Sequence, residues 1–164
     1  MKKSRVGVGI AGAMLLTMAG PALAAEVTRS ITIPAASEVI WSKMGDFCSI
    51  EKWHPVIARC EASEQGGATI RKLTTKDGGV LVERLTAVDR GKRTYSYEIL
   101  ESPLPVEGYR STIKVDTLGS SLSKVTWSSS FTPKGATAEE ATAVIDKIYE
   151  VGLHQIQEIT EMVD

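Results

Sequence analysis

The chain has 164 residues, of which 43% are hydrophobic and 24% charged, with 19 Lys and Arg against 20 Asp and Glu. That composition belongs to a globular protein and excludes a disordered, collagen-like or basic nucleic-acid-binding chain. Two cysteines are too few for a disulfide-dense miniprotein.

Residues 1–24 have the three parts of a secretory signal. Lys2, Lys3 and Arg5 form a charged start, and Val6 to Met18 is an apolar run of 13 residues, shorter than a membrane span requires. Gly20 and Pro21 break the run, and Ala22-Leu23-Ala24 supplies the small-x-small pattern before a cleavage point. Cleavage after Ala24 is expected, leaving a single domain over 25–164 in the periplasm or outside the cell. Removing three of 19 basic residues and none of 20 acidic ones moves the formal charge from −1 to −4. A net-negative domain without a Lys/Arg cluster predicts no nucleic-acid partner, and no second apolar segment predicts stable membrane insertion. Nothing in the sequence calls for a cofactor.

The mature chain opens with Val27 to Ile33, which alternates with period two and is closed by Pro34, as a first or edge strand would be. Ala36 to Asp46 changes period: Ile40, Trp41, Met44 and Phe47 recur at helical spacing. A second short turn is expected over Ser49 to Trp53, and His54 before Pro55 must leave the helical region and is expected in an exposed loop. In an oxidising compartment Cys48 and Cys60 are candidates for a disulfide worth about 3 kcal/mol in the chain-entropy picture. The competing reading is a metal held by the two thiols and His54, although structural zinc sites space their ligands in close pairs.

Alternating runs separated by turn signals then predict strands at 56–62, 68–75, 80–88, 93–100, 109–117 and 123–132, an antiparallel meander. The chain ends in a long helix opened by Thr137-Ala138-Glu139-Glu140, a capping box. Its apolar stripe is Ala141, Ile145, Ile148, Gly152, Ile156, Ile159 and Val163, which places His154 on the opposite, wetted side. Gly152 in mid-helix costs up to about 1 kcal/mol relative to alanine and needs a compensation, either close packing or room for a guest.

Lys76-Asp77-Gly78 and Asp89-Arg90-Gly91 each place glycine third in a three-residue loop, the left-handed position of a type I turn with a bulge. Two such turns set Arg71 opposite Glu83 and Glu83 opposite Tyr97. Continuing across the sheet, Tyr97 faces Ser111 and Ser111 faces Ser129. These five residues form a polar belt on one face, between apolar belts of Leu73, Leu81, Ile99, Tyr109, Phe131 and of Leu85, Tyr95, Ile113, Trp127. The other face carries residues such as Lys72, Arg84, Glu98, Arg110 and Lys114. A closed core needs no polar belt, and burying Arg71 and Glu83 is costly unless each satisfies the other or a ligand does. A cavity is therefore expected.

Trp41 to Pro55, Gly78 to Leu85, Tyr95 to Ile99, Pro103-Leu104-Pro105 with Tyr109, and Val125 to Trp127 resemble the SRPBCC superfamily, in its polyketide cyclase/dehydrase-like branch of START-like and pollen-allergen-like proteins. The resemblance implies an α+β helix-grip fold. A curved antiparallel sheet of about six to seven strands would wrap around a long C-terminal helix, with two short helices after the first strand. It also implies a pocket between sheet and helix, with Trp53 and His54 near the mouth and Arg71, Glu83, Tyr97 and Trp127 along the wall.

The candidate ligand-binding set is Trp53, His54, Arg71, Glu83, Tyr95, Tyr97, Tyr109, Ser111, Trp127, Ser129 and Gly152. The partner expected is a small hydrophobic or amphipathic molecule, with Arg71 meeting a carboxylate or carbonyl on it. The alternative is a cyclase or dehydratase in which Glu83 is the general base and Arg71 with Tyr97 steadies an enolate. Against that stands the arginine, since direct pairing weakens a carboxylate as a base. A third reading is a structural or accessory domain in which the pocket has collapsed, Trp127 and Tyr95 are core packing, and Arg71 with Glu83 is an ion pair only.

Overall fold

The computed structural model describes residues 24–162. The expected leader up to Leu23 and the last stripe residue, Val163, lie outside them. The elements are β1 (Ala25–Ile33), α1 (Ser37–Met44), α2 (Ile50–Trp53), β2 (Ile57–Gln65), β3 (Ala68–Thr75), β4 (Val80–Asp89), β5 (Thr94–Glu101), β6 (Val106–Gly119), β7 (Leu122–Pro133) and α3 (Ala138–Glu161). All strands are antiparallel neighbours in one seven-stranded sheet of order β1-β7-β6-β5-β4-β3-β2, so the first strand returns beside the last. One face of the sheet holds α3, while α1 packs against β6 and β7 and α2 against β2, both also touching α3. This is the helix-grip arrangement.

Local chemistry accounts for the elements. Thr137 Oγ1 accepts from the Glu140 amide at 3.2 Å while Glu140 Oε2 accepts from the Thr137 amide at 2.8 Å, so two of the orphan donors at the start of α3 are satisfied. The stripe of α3 faces the sheet with Ala141, Ile145, Gly152 and Ile156 buried, joined by Tyr149, Leu153 and Thr160, which the periodicity did not single out. His154 is exposed. At the surface Arg29 of β1 donates from Nε and Nη2 to the two carboxylate oxygens of Asp146, at 2.5 and 2.6 Å, pinning α3 against the first strand.

The first hairpin has the register its turn dictates. Gly78 sits at φ +90°, Thr75 pairs with Gly79, and Arg71 stands opposite Glu83. The second does not. Gly91 stays out of the left-handed region, and Arg93 takes it instead at φ 50°. The connection is therefore four residues long, with Asp89 Oδ1 accepting from the Lys92 amide at 2.9 Å. Thr86 is then extruded as a bulge between the pairs Leu85–Tyr97 and Ala87–Ser96, and Glu83 faces Ile99 rather than Tyr97. Longer turn and bulge together displace the pairing of Glu83 to Leu85 by two residues, and a shift of two keeps those side chains on their face. Tyr97–Ser111 and Ser111–Ser129 pair as expected. The polar belt survives with one diagonal step in it.

Candidate functional site

β3 and β4 carry the two charges of the belt into the interior. Arg71 is 0% exposed and Glu83 4%, and Arg71 Nε donates to Glu83 Oε2 at 2.6 Å. Arg71 Nη1 also donates to the Phe47 carbonyl, and the guanidinium carbon lies 3.9 Å from the centre of the Phe47 ring and 5.0 Å from that of Tyr97. Burial works against the cation. The Glu83 carboxylate opposes it, with help from the phenols of Tyr95 and Tyr97, and the arginine pKa ends up raised. Two buried groups are left over in this corner, Arg71 Nη2 and Tyr95 OH, neither with a partner among the described residues. Glu83 Oε1 likewise receives no hydrogen bond from them.

Across β5, β6, β7 and α3 the polar groups serve one another. Trp127 Nε1 donates to Ser111 Oγ at 2.9 Å and to Tyr97 OH at 3.1 Å, and Ser111 Oγ donates to the Ser128 carbonyl at 2.8 Å. The hydroxyls of Tyr109 and Tyr149 bond to each other, and Trp127 stacks on Tyr149 with centroids 4.3 Å apart. Burial pushes the phenols of Tyr95 and Tyr149 up to about 12 and holds those of Tyr97 and Tyr109 well above the ordinary phenol range, so each is a neutral hydroxyl at physiological pH. Ser129 Oγ is the exception, buried without a partner.

His54 is not the exposed loop residue its sequence context predicts. It is 3% exposed, because α2 turns it under α3. Its Nε2 lies 3.1 Å from the Ile148 carbonyl and the Val56 amide lies 3.4 Å from its Nδ1, a pattern that fits the neutral Nε2–H tautomer. Burial lowers its pKa to about 4, with the Arg71 charge assisting and the Ile148 bond opposing. The compensation at Gly152 is close packing: a Cβ there would lie 2.6 Å from His54 Cδ2 and 3.0 Å from Trp127 Cζ3. Trp53 is equally buried and meets Trp127 edge-on at 5.7 Å.

Cys48 and Cys60 are joined, with Cα atoms 5.5 Å apart. The bridge takes both thiols from the metal alternative and ties the segment after α1 to β2. Phe47, whose carbonyl accepts from Arg71, is the neighbour of Cys48. Among the described residues no group of three or more His, Cys, Asp and Glu is placed to hold a metal.

Between sheet and α3 a cavity of about 80 Å³ remains. Of the candidate residues, His54, Glu83, Tyr97, Tyr109 and Trp127 line it, while Trp53, Arg71, Tyr95, Ser111, Ser129 and Gly152 stand behind the wall. Arg71 thus backs Glu83 rather than meeting the space itself. The rest of the lining is mostly aliphatic: Ile50, Ile57, Leu73, Leu81, Ile99 and Ile145, with Tyr149. Val56, Thr75, Leu104 and Ile148 line it too and also reach the surface, which places the mouth between the ends of α2 and β3, the β5–β6 connection and α3. Ile145 and Ile148 were on the predicted stripe and Leu73, Leu81 and Ile99 on a predicted belt. Tyr149, one residue off the stripe, had only its size as a signal.

An antiparallel sheet gripping one long helix, with a small apolar-walled chamber between them, defines a protein of the helix-grip class. Residues 24–161 match the family described as polyketide cyclase / dehydrase and lipid transport, and the chain belongs to it. Among solved structures, XoxI from Bacillus cereus is 36% identical over 84% of this chain and 96% of its own, with a TM-score of 0.79. An aromatase/cyclase from a Streptomyces species (18% identity, 85% of this chain and 94% of that one, TM-score 0.71) shares the fold. So does a START superfamily protein from Mycobacterium smegmatis (14%, 85% and 99%, TM-score 0.71). No curated protein matches the chain. No helix among the described residues is long and apolar enough to cross a membrane.

Proposed function

We propose that this chain is an exported binding protein that takes one small, mostly apolar molecule into the chamber between the sheet and α3. The observation that carries the reading is the chamber itself: about 80 Å³, walled by aliphatic and aromatic side chains, with one carboxylate, Glu83, in its lining. Pockets for drug-sized ligands run to about 300–1,000 Å³, so the size favours a much smaller guest. Burial of its surface, at about 25 cal/mol per Å², supplies the affinity. Export rests on the leader-like residues 1–24, and the Cys48–Cys60 bridge suits an oxidising compartment. Trp127 and His54 pack on Gly152, but the chamber persists beside those contacts, which counts against the collapsed-pocket reading.

One observation favours an enzymatic reading as the second choice. Glu83 Oε1 is unpartnered in the chamber wall beside Tyr97, whose protonated phenol is suited to steady a developing enolate. Native mass spectrometry of the protein recovered from its own compartment is expected to show the mature mass from Ala25, the loss of two hydrogens for the bridge, and a bound small molecule. Recovery without a guest, together with no thermal shift from any small apolar compound, would sink the binding reading. Retained binding with lost turnover of a candidate substrate in Glu83→Gln would favour the enzyme.

A further inference from the structure

The chamber's wall specifies more about its guest than size. Most of its polar groups are already spent. The Trp127 N–H is shared between Ser111 and Tyr97, the Tyr109 and Tyr149 hydroxyls are bonded to each other with Ser111 Oγ 3.3 Å from the Tyr149 oxygen, His54 Nε2–H meets the Ile148 carbonyl, and the Thr75 hydroxyl donates to Asp77 Oδ1 at 2.5 Å with the Gly79 carbonyl 3.0 Å away. Two valences stay open. Glu83 Oε1 is an acceptor with no donor, because Arg71 occupies Oε2 alone. Tyr97 accepts from Trp127 through its oxygen, and its own O–H meets no acceptor among the described residues.

We infer that the site selects a neutral, single-ring molecule bearing a hydroxyl, which donates to Glu83 Oε1 and is free to accept from Tyr97 O–H. The inference rests on the binding reading above and names its ligand class. A hydroxyl is the smallest neutral group that is a strong donor and a strong acceptor through a single atom. A carbonyl, ether or nitrile leaves Glu83 Oε1 buried without a donor, which is the costly arrangement. A carboxylate is repelled by Glu83, and Arg71, which would attract it, lies behind the wall. An ammonium satisfies Glu83 but must be stripped of water inside a chamber where Arg71 already balances that carboxylate. As for size, about 10–15 Å³ of such space holds one water, so the chamber admits about five to eight water-sized groups, the scale of a ring and one substituent. Glu83 then acts as the specificity-determining residue, and Arg71 as the group that fixes which carboxylate oxygen is left for the guest.

The test is a titration of the purified mature protein with phenol, toluene, benzonitrile and benzoate, followed by the Trp127 indole N–H resonance. Phenol is expected to bind about tenfold more tightly than benzonitrile, the factor an unpaired buried acceptor brings. It should also bind more tightly than toluene, although toluene is the more apolar, and benzoate should not move the resonance. In Glu83→Gln the amide oxygen must turn to Arg71, because Arg71 can only donate. The NH₂ then occupies the place of Oε1, and the order of phenol and benzonitrile should reverse. Should that variant fail to fold, the wild-type order alone decides. Binding of all the neutral rings with toluene or benzonitrile tightest would overturn the hydroxyl rule and leave the binding reading standing. Tightest binding by benzoate would do the same. No response to any of the four would overturn both.

Discussion

The two ends of the buried belt use the same kinds of residue to opposite effect. At the β6–β7 end Trp127, Ser111, Tyr109 and Tyr149 form one hydrogen-bonded and stacked cluster, and among the described residues Ser129 Oγ and the Nε1 of Trp53, edge-on to Trp127, are left without a partner there. At the β3–β4 end Arg71 Nη2, Tyr95 OH and Glu83 Oε1 all lack one. Native interiors satisfy nearly all of their buried polar groups. A polar row that closes on itself is therefore structure, whereas Glu83 Oε1, the open valence that borders the chamber, marks where a guest belongs, with Arg71 Nη2 and Tyr95 OH behind it. Charge sharpens the contrast, since the closed end holds only neutral groups while the open end holds an ion pair that survives because each partner needs the other.

The largest effect expected comes from breaking that pair. Arg71→Met leaves the Glu83 carboxylate buried and uncompensated, which should cost about 3–5 kcal/mol in urea unfolding. The double variant Arg71→Met with Glu83→Leu removes both charges and should lose clearly less than the single one. A cost under about 1 kcal/mol for Arg71→Met would mean that water reaches Glu83 freely, and the distinction between the two ends would disappear.

The turn chemistry shows how much of this was legible in the sequence. Gly78 in the β3–β4 loop had one way to be used, and it set Arg71 opposite Glu83. Gly91 offered the same signal, but Asp89 capped the Lys92 amide and Arg93 adopted φ 50°, a conformation a sequence reader assigns to glycine first. The face of Glu83 was still predicted correctly, because the longer turn and the Thr86 bulge displace the pairing of Glu83 to Leu85 by an even number. The seven strands, the capping box and the buried stripe of α3 follow from period and caps. His54 was misplaced because its burial depends on how α2 docks beneath α3, a tertiary event with no local signature. The same is true of the chamber wall: the alternation names the belts, but which members touch the empty space depends on sheet curvature, which put Arg71 behind Glu83.

His54 offers a second way to test the packed end. The unfolded chain takes up a proton as pH falls through 6.5, whereas the folded histidine, its pKa lowered to about 4 by burial, does not. The unfolded state thus binds more protons between those values, and stability falls with pH across that window. Above pH 6.5 the residue contributes no pH dependence, and by pH 4 its cost should approach about 3 kcal/mol. His54→Gln, whose amide N–H still reaches toward the Ile148 carbonyl, should lack that part of the acid sensitivity. Identical pH profiles for the two proteins would show that His54 is hydrated, and the packed end would not be dry.

The smallest effect expected is also the one whose sign is decided by packing alone. Gly152→Ala improves helix propensity by about 1 kcal/mol, so on a solvated face it would stabilise. At this position the new Cβ would lie 2.6 Å from a His54 ring carbon and 3.0 Å from Trp127. Neither ring withdraws freely: His54 is bonded to the Ile148 carbonyl of α3 itself, and Trp127 is stacked on Tyr149 and bonded to Ser111 and Tyr97. Overpacking of that kind costs about 1–3 kcal/mol, which exceeds the propensity gain, so a net loss of about 1 kcal/mol is expected by urea unfolding. Because relief can come only by pushing the rings toward the chamber, the variant should also weaken phenol binding. A Gly152→Ala protein that is more stable than its parent would show that the rings give way and that α3 does not grip the sheet closely at this point.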